Sequence, residues 1–202
     1  MTFNALAIRK VRQIDIDRCA ATLVAAFDDD PFVNWWVRQG ADRSEGMAAA
    51  FRDLVLVPFV PLGETYMTTD ASGVIVWRPP PGKHVTLPQE WREMMPAVRR
   101  QSGRRVRRFE FMVRRLEEAH PDTPHWFLFV IGVHPSRQGQ GIGSALIRHM
   151  TQRLDRDGMP SYLQSSKERN VPVYGRHGFQ VLEKMRIGSN GPYIWRMWRE
   201  PK

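Results

Sequence analysis

Residues 125–150, HWFLFVIGVHPSRQGQGIGSALIRHM, constrain the fold more than any other stretch of the chain. The first nine form an almost unbroken apolar run with aromatics, the pattern of a central strand buried on both faces. The last ten carry the apolar spacing of an amphipathic helix. Between them Gly139, Gly141 and Gly143 fall within five residues. Glycine adopts positive φ and lets a backbone approach other groups, at a cost in backbone entropy. A helix start also has unpaired amides at the positive end of its dipole. Three glycines there predict a loop that bends sharply and cradles an anion.

The rest of the chain reads as an alternation of helices and strands. LAIRKV (6–11) predicts a first strand and IDIDRCAATLVAAF (14–27) a helix, broken by DDDPFVNWW (28–36), which starts another after Pro31. Residues 44–60 read as a helix, 64–80 as a hairpin turning at Asp70–Gly73, and 88–120 as mostly helical with breaks near Pro96 and Gly103. After the helix over 141–157 come a strand at 161–166 and a short helix over 170–179, with Asn170 as its N-cap and Gly178 beyond its end. Two closing strands follow, 180–188 and 193–200. No repeat, linker or low-complexity segment interrupts the pattern, so a single mixed α/β domain over 1–202 is expected.

Composition excludes several classes. One cysteine, Cys19, leaves no internal disulfide and no cysteine-based zinc site, and reads as a small packed residue. No apolar run approaches the roughly 20 residues of a membrane span, and the N-terminus has no signal-peptide core. A cytoplasmic protein without a membrane partner is expected. Thirty Lys and Arg against 21 Asp and Glu leave a formal charge of +9, which favours anionic partners.

Three phosphate-binding loops compete for residues 134–144. A Walker loop needs Lys-Ser or Lys-Thr after its last glycine, and here Ser144-Ala145 follows. A dinucleotide fingerprint needs G-x-G-x-x-G at the first strand–helix turn, and here the spacing is G-x-G-x-G late in the chain. The third pattern, Q-x-x-G-x-G after a strand, is met by Gln138, Gly141 and Gly143. In that pattern the chain resembles the GNAT superfamily of acyl-CoA N-acetyltransferases, and within it the puromycin N-acetyltransferase-like branch. The resemblance is carried by Gly132, Val133, Pro135, Gln138, Gly139, Gly141 and Gly143, then by Asn170, Pro172, Tyr174, Arg176, Gly178 and Phe179, and finally by Trp195, Met197 and Arg199.

The resemblance implies a GNAT fold, with a mixed, mostly antiparallel sheet that splays at the strand over 125–133 and is flanked by helices. It implies acetyl-CoA as donor, with no metal, and direct attack by a small-molecule primary amine in a ternary complex. Cofactor contacts are then expected at Ile131, Val133, Gln138, Gly139, Gln140, Gly141, Ile142, Gly143, Ser144, Asn170 and Tyr174. Tyr174 is implied as the proton donor to the leaving thiolate. An amide near Val133 is implied as the oxyanion donor, at a bulge beside Gly132. His125, whose ordinary pKa suits proton transfer, is the candidate general base. The branch has a glutamate where this chain has Gln164, which cannot take a proton but can hydrogen-bond the acceptor. Asp28 and Asp30 are candidates to attract a cationic amine, and Phe32 and Trp36 to line an apolar acceptor pocket.

Two other readings remain at this stage. Arg99, Arg100, Arg104, Arg105, Arg107, Arg108, Arg114 and Arg115 crowd one segment, as in a nucleic-acid-binding module, although no recognised DNA- or RNA-binding motif accompanies them. The other is a non-catalytic protein that only binds coenzyme A, against which Tyr174 argues. The acetyltransferase reading itself predicts no nucleic-acid partner and a monomer or homodimer.

Overall fold

The computed structural model describes residues 7–80, 96, 98, 99 and 102–202. The part of the helical stretch expected over 88–95 lies outside the described residues. Seven strands form one sheet in the order β1–β2–β3–β4–β5–β7–β6. They are β1 (Ile8–Lys10), β2 (Thr65–Thr68), β3 (Gly73–Arg78), β4 (Trp126–Val133), β5 (Ser161–Ser165), β6 (Gln180–Arg186) and β7 (Tyr193–Arg199). Every neighbouring pair is antiparallel except β4 with β5. The mixed, mostly antiparallel sheet expected from the sequence is therefore present.

Helices cover both faces. On one side lie α1 (Ile16–Ala26), α2 (Pro31–Trp36), α3 (Arg43–Ala50) and α4 (Val106–Glu118), which share a core against which Phe129 and Val130 pack partly buried. On the other lie α5 (Ile142–Arg156) and α6 (Val171–Gly175), packed on Trp77, Trp126, Leu128 and Leu163. The buried stripe of α5, Ile142, Leu146, Ile147, Met150 and Leu154, has the three-to-four-residue spacing read from the sequence. The helix expected over 44–60 is continuous but passes through a π-helical turn at Phe51–Leu56.

Charged side chains fasten the ends of these elements. Arg9 on β1 makes two 2.7 Å bonds to Asp15 just before α1. Arg199, 3% exposed, holds Asp155 near the end of α5 at 2.7 and 2.8 Å and the carbonyl of His177 at 2.8 Å. The last residue of the Trp195, Met197, Arg199 pattern is thus an anchor joining β7, α5 and the loop after α6.

Strand β4 changes partner and phase along its length. It pairs with β5 only through Trp126–Leu128 and Ser161–Leu163, and the two strands then diverge. Its register with β3 slips between Val76 and Trp77, because Trp77 faces Leu128 and Val76 faces Val130. Phe129 is the extra residue, a β-bulge. Phe129 and Val130 both pack towards the α1–α4 layer, after which Ile131 and Val133 return to the α5 layer. The bulge expected beside Gly132 therefore sits two to three residues earlier.

Gly132 has a different cause. A Cβ built there would lie 2.8 Å from Leu23 Cδ2 and 3.0 Å from Ala26 Cβ, so glycine lets α1 lie close against β4. We expect Gly132→Ala to lower stability by about 1–3 kcal/mol through overpacking, read as a lower urea midpoint. An unchanged midpoint would show that α1 shifts freely.

Candidate active site

The divergence of β4 and β5 opens a cleft of about 440 Å³. One wall is β4 from Leu128 to Val133, the other the end of β5 and the loop after it, Leu163 to Lys167. The glycine loop and the start of α5 close one end, and Phe27 and Asp30, from the turn between α1 and α2, close the other.

The loop at the first end is built for unpaired amides. A single 3-10 turn, Pro135–Arg137, follows β4, and Gln138 Nε2 donates to the Val133 carbonyl at 3.0 Å. Gly139 and Gly141 then take φ of 75° and 78°, the left-handed region that favours glycine. The first backbone bond of α5 runs from the Ala145 amide to the Gly141 carbonyl at 2.9 Å. The amides of Ile142, Gly143 and Ser144 precede it and have no carbonyl within the helix. Gly143 does not take positive φ, and a Cβ there would meet only Val133 Cγ2, at 3.7 Å. Neither backbone geometry nor packing calls for that glycine, yet it lines the cleft. Arg137, Lys167, Arg169 and Arg176 add positive charge to the lining.

The middle of the cleft is edged by backbone donors. The His134 amide donates to the Ser72 carbonyl at 2.8 Å. By the alternation of an antiparallel ladder, Gly132 and Val130 also bond to β3. The amides of Ile131 and Val133 therefore face the gap where β5 has diverged.

Tyr174 and Asp30 lie at the second end. Tyr174 is buried, packs edge-on to Phe179, and its hydroxyl makes no hydrogen bond among the described residues. Burial, with the Asp30 carboxyl nearby, raises its pKa, so it keeps its proton at neutral pH. Asp30, 2% exposed, caps α2. Its Oδ1 accepts from the Phe32 and Val33 amides at 2.9 and 3.0 Å, and its Oδ2 accepts from Ser166 Oγ at 2.5 Å. Burial raises its pKa in spite of those donors.

The structure brings Ile131, Val133, Gln138, Gly139, Gly141, Ile142, Gly143, Ser144, Asn170, Tyr174, Asp30 and Gln164 to this cleft. Gln140 is exposed and outside the lining. Asn170 does not cap α6 with its side chain, because the 3-10 turn Glu168–Asn170 runs straight into the helix. Gln164 Nε2 donates to the Leu116 carbonyl at 3.0 Å and to the Tyr162 hydroxyl at 2.9 Å, so its amide nitrogen is committed to the protein.

Besides Gln140, four expected residues lie elsewhere. His125 is fully buried at the closed end of the β4–β5 pair, with Nδ1 2.7 Å from the Thr123 carbonyl and Nε2 3.3 Å from His120 Nδ1. The cleft opens only beyond Leu128, so a residue before Trp126 cannot reach it. Asp28 faces solvent and pairs with Arg43 at 2.5 Å. Trp36 is buried with its ring 4.5 Å from Phe109, and Phe32 is half-buried in the same core. The six-residue helix α2 carries Phe32 and Trp36 into the core and away from the cleft. Cys19 is buried 3.7 Å from Met67 Sδ, and burial pushes its thiol up to about 12.

Sequence reasoning missed Phe27, Phe129, Ser166 and Lys167. Their signal was position, at the end of a helix, inside the bulge and just past the strand that diverges.

Two residues of the arginine run tie α4 to α2, and two pair on the surface of their own helix. Arg105 bonds the Asn34 and Val37 carbonyls at the end of α2, Arg108 bonds the Trp35 carbonyl, and Arg114 and Arg115 hold Glu118. Among the described residues, no group of three His, Cys, Asp or Glu could hold a metal ion, and no helix is long and apolar enough to cross a membrane.

Solved acetyltransferases share this overall fold. A Corynebacterium glutamicum structure described as histone acetyltransferase HPA2 and related acetyltransferase superposes with a TM-score of 0.72 at 24% identity, over 97% of this chain and 96% of that one. The chain has the fold of the GNAT acetyltransferase superfamily. The model of the acetyltransferase (GNAT) family matches residues 99–179, which include β4, the glycine loop, α5 and α6. An uncharacterized N-acetyltransferase of Schizosaccharomyces pombe is 25% identical over 98% of this chain and 84% of its own length. The polyamine N-acetyltransferase of Drosophila melanogaster has the same GNAT fold, with a TM-score of 0.65 at 14% identity over 96% of this chain and 99% of that one.

The glycine loop can be tested apart from catalysis. Gly143→Ala should raise stability by up to about 1 kcal/mol, since alanine is the better helix former, while acetyl-CoA affinity measured by calorimetry falls at least about tenfold. Gly141→Asp should abolish binding in a folded protein. Unchanged affinity in both variants would refute the loop as the pyrophosphate site.

Proposed function

We propose that this protein is an N-acetyltransferase that moves the acetyl group of acetyl-CoA to the primary amine of a small molecule in one ternary complex. The observation that carries the reading is the pairing of two ends in one cleft, unpaired helix amides at one and Tyr174 with Asp30 at the other. The sequence resemblance to the puromycin branch supports a small-molecule acceptor, as does the small amine named for the Drosophila protein of the same fold, N-acetylagmatine being its product. Gln164 departs from that branch, and the buried Asp30 supplies a carboxylate instead.

In this reading the pyrophosphate of acetyl-CoA accepts hydrogen bonds from the amides of the glycine loop, and the cations of the rim balance its charge. The thioester lies in the gap beside β4. There the Ile131 and Val133 amides can donate to its carbonyl oxygen as negative charge develops. The amine approaches from the Asp30 end and loses a proton to Oδ2, directly or along the Ser166 hydrogen bond. Tyr174, whose raised pKa keeps it protonated, gives a proton to the departing thiolate. Asp30 takes the place given to His125 in the sequence reading.

Release of coenzyme A thiol from acetyl-CoA in the presence of a panel of primary amines tests the reading. Tyr174→Phe loses no protein hydrogen bond, so stability and acetyl-CoA affinity should hold. Turnover should fall by roughly two to four orders of magnitude, the range of general acid–base catalysis. Wild-type turnover under conditions where chemistry limits the rate would leave Tyr174 a packing residue.

The role of Asp30 has a pH signature. Accepting a proton requires the carboxylate, and burial has raised its pKa. Activity should therefore fall as pH drops through that raised value. Asparagine still caps a helix, so Asp30→Asn should fold, lose activity by about 100-fold or more, and lose the acid limb of the kcat/KM profile. An acid limb that persists unchanged in Asp30→Asn would assign the base elsewhere.

A further inference from the structure

The acceptor end of the cleft is unequal in its polar and apolar parts. Among the described lining residues Asp30 is the only carboxylate. The neighbouring Asp29 is already shared by Lys167 and Arg169. A substrate ammonium arriving at Asp30 finds a partner, and a second ammonium on the same molecule finds no further carboxylate among the described lining residues. An unpaired ammonium removed from water is expensive.

Beside Asp30 the wall is aromatic and preformed. Phe27 and Phe129 line the cleft on the α1–α4 side of the sheet. The Phe27 ring lies 5.1 Å from Phe51. The Phe129 ring lies 5.0 Å from Phe59, with the buried Arg78 guanidinium 5.8 Å from its centroid. Neighbours hold each ring from behind, so little ordering is needed when a flat apolar group is placed against them.

Resting on the acetyltransferase reading above, we propose that the acceptor is a primary amine with a single positive charge and an aromatic body. Asp30 receives the amine, and Phe27 and Phe129 select the ring. Diamines and guanidinium-bearing amines are poor acceptors, because the described lining residues include no second carboxylate.

Steady-state kcat/KM at saturating acetyl-CoA tests this with 2-phenylethylamine, n-propylamine, putrescine and agmatine. Wild type should favour 2-phenylethylamine over putrescine and over agmatine by at least about tenfold. In Phe27→Leu or Phe129→Leu the ratio of 2-phenylethylamine to n-propylamine should drop by about threefold to tenfold, the scale of one aromatic contact. Because both amines are measured on the same preparation, partial unfolding of a variant cancels from the ratio. Putrescine or agmatine used as well as 2-phenylethylamine, or ratios unchanged in both variants, would overturn the substrate class and leave acetyl transfer standing. No acetylation of any amine by a protein that binds acetyl-CoA would overturn the class and the activity together.

Discussion

Three paired residues decide the shape of this molecule. Strands β4 and β5 run parallel and bonded from Trp126 to Leu128, and then part. From that point the amides on the free edge of β4 have no strand partner, a costly state for backbone donors inside a protein. The bulge at Phe129 marks the place where the strand changes phase. It turns Ile131 and Val133 back towards α5 and leaves their amides on the open edge. Gly132, between them, lets α1 lie close behind the opened strand. Without that support the free edge would have no fixed geometry to present to a ligand.

The cleft has a different chemistry at each end, because the helices on the two faces of the sheet differ. The α5 end offers amides and surrounding cations, suited to an anion. The α1–α2 end offers one buried carboxylate and two braced aromatic rings, suited to an amine with an apolar body. The gap joins the two faces, so groups bound from opposite sides meet beside β4. Tyr174 lies near Asp30 at the second end, and burial raises the pKa of both. The same burial keeps the tyrosine protonated at neutral pH and makes the aspartate a stronger base than an exposed carboxylate.

Much of this was legible in the sequence. The strand–glycine–helix segment announced itself because each part has a strong local signature: continuous apolar residues, glycine spacing and helical periodicity. Tyr174 was legible from its surrounding motif. The bulge was not, because a strand that is apolar at every position hides a change of phase, and glycine drew attention to 132 although the extra residue is Phe129. His125 suits a base by its place at the start of the central strand and by its ordinary pKa, but neither says which end of a strand opens. Asp28 and Asp30 could not be separated by composition. The capping geometry of α2 separates them, burying Asp30 and leaving Asp28 to pair with Arg43 in solvent. Trp36 looked like a pocket wall, but the contact with Phe109 on α4 claims it for the core.

In the proposed reaction acetyl-CoA lies across the opened edge of β4 with its pyrophosphate on the glycine loop. Amide hydrogen exchange with and without acetyl-CoA measures this at the backbone itself. The ligand is expected to slow exchange at residues 139–144 and at Ile131 and Val133, with little change in β1, β2 and β6. Exchange at those amides that is the same with and without saturating acetyl-CoA, or protection confined to another part of the sheet, would contradict that placement.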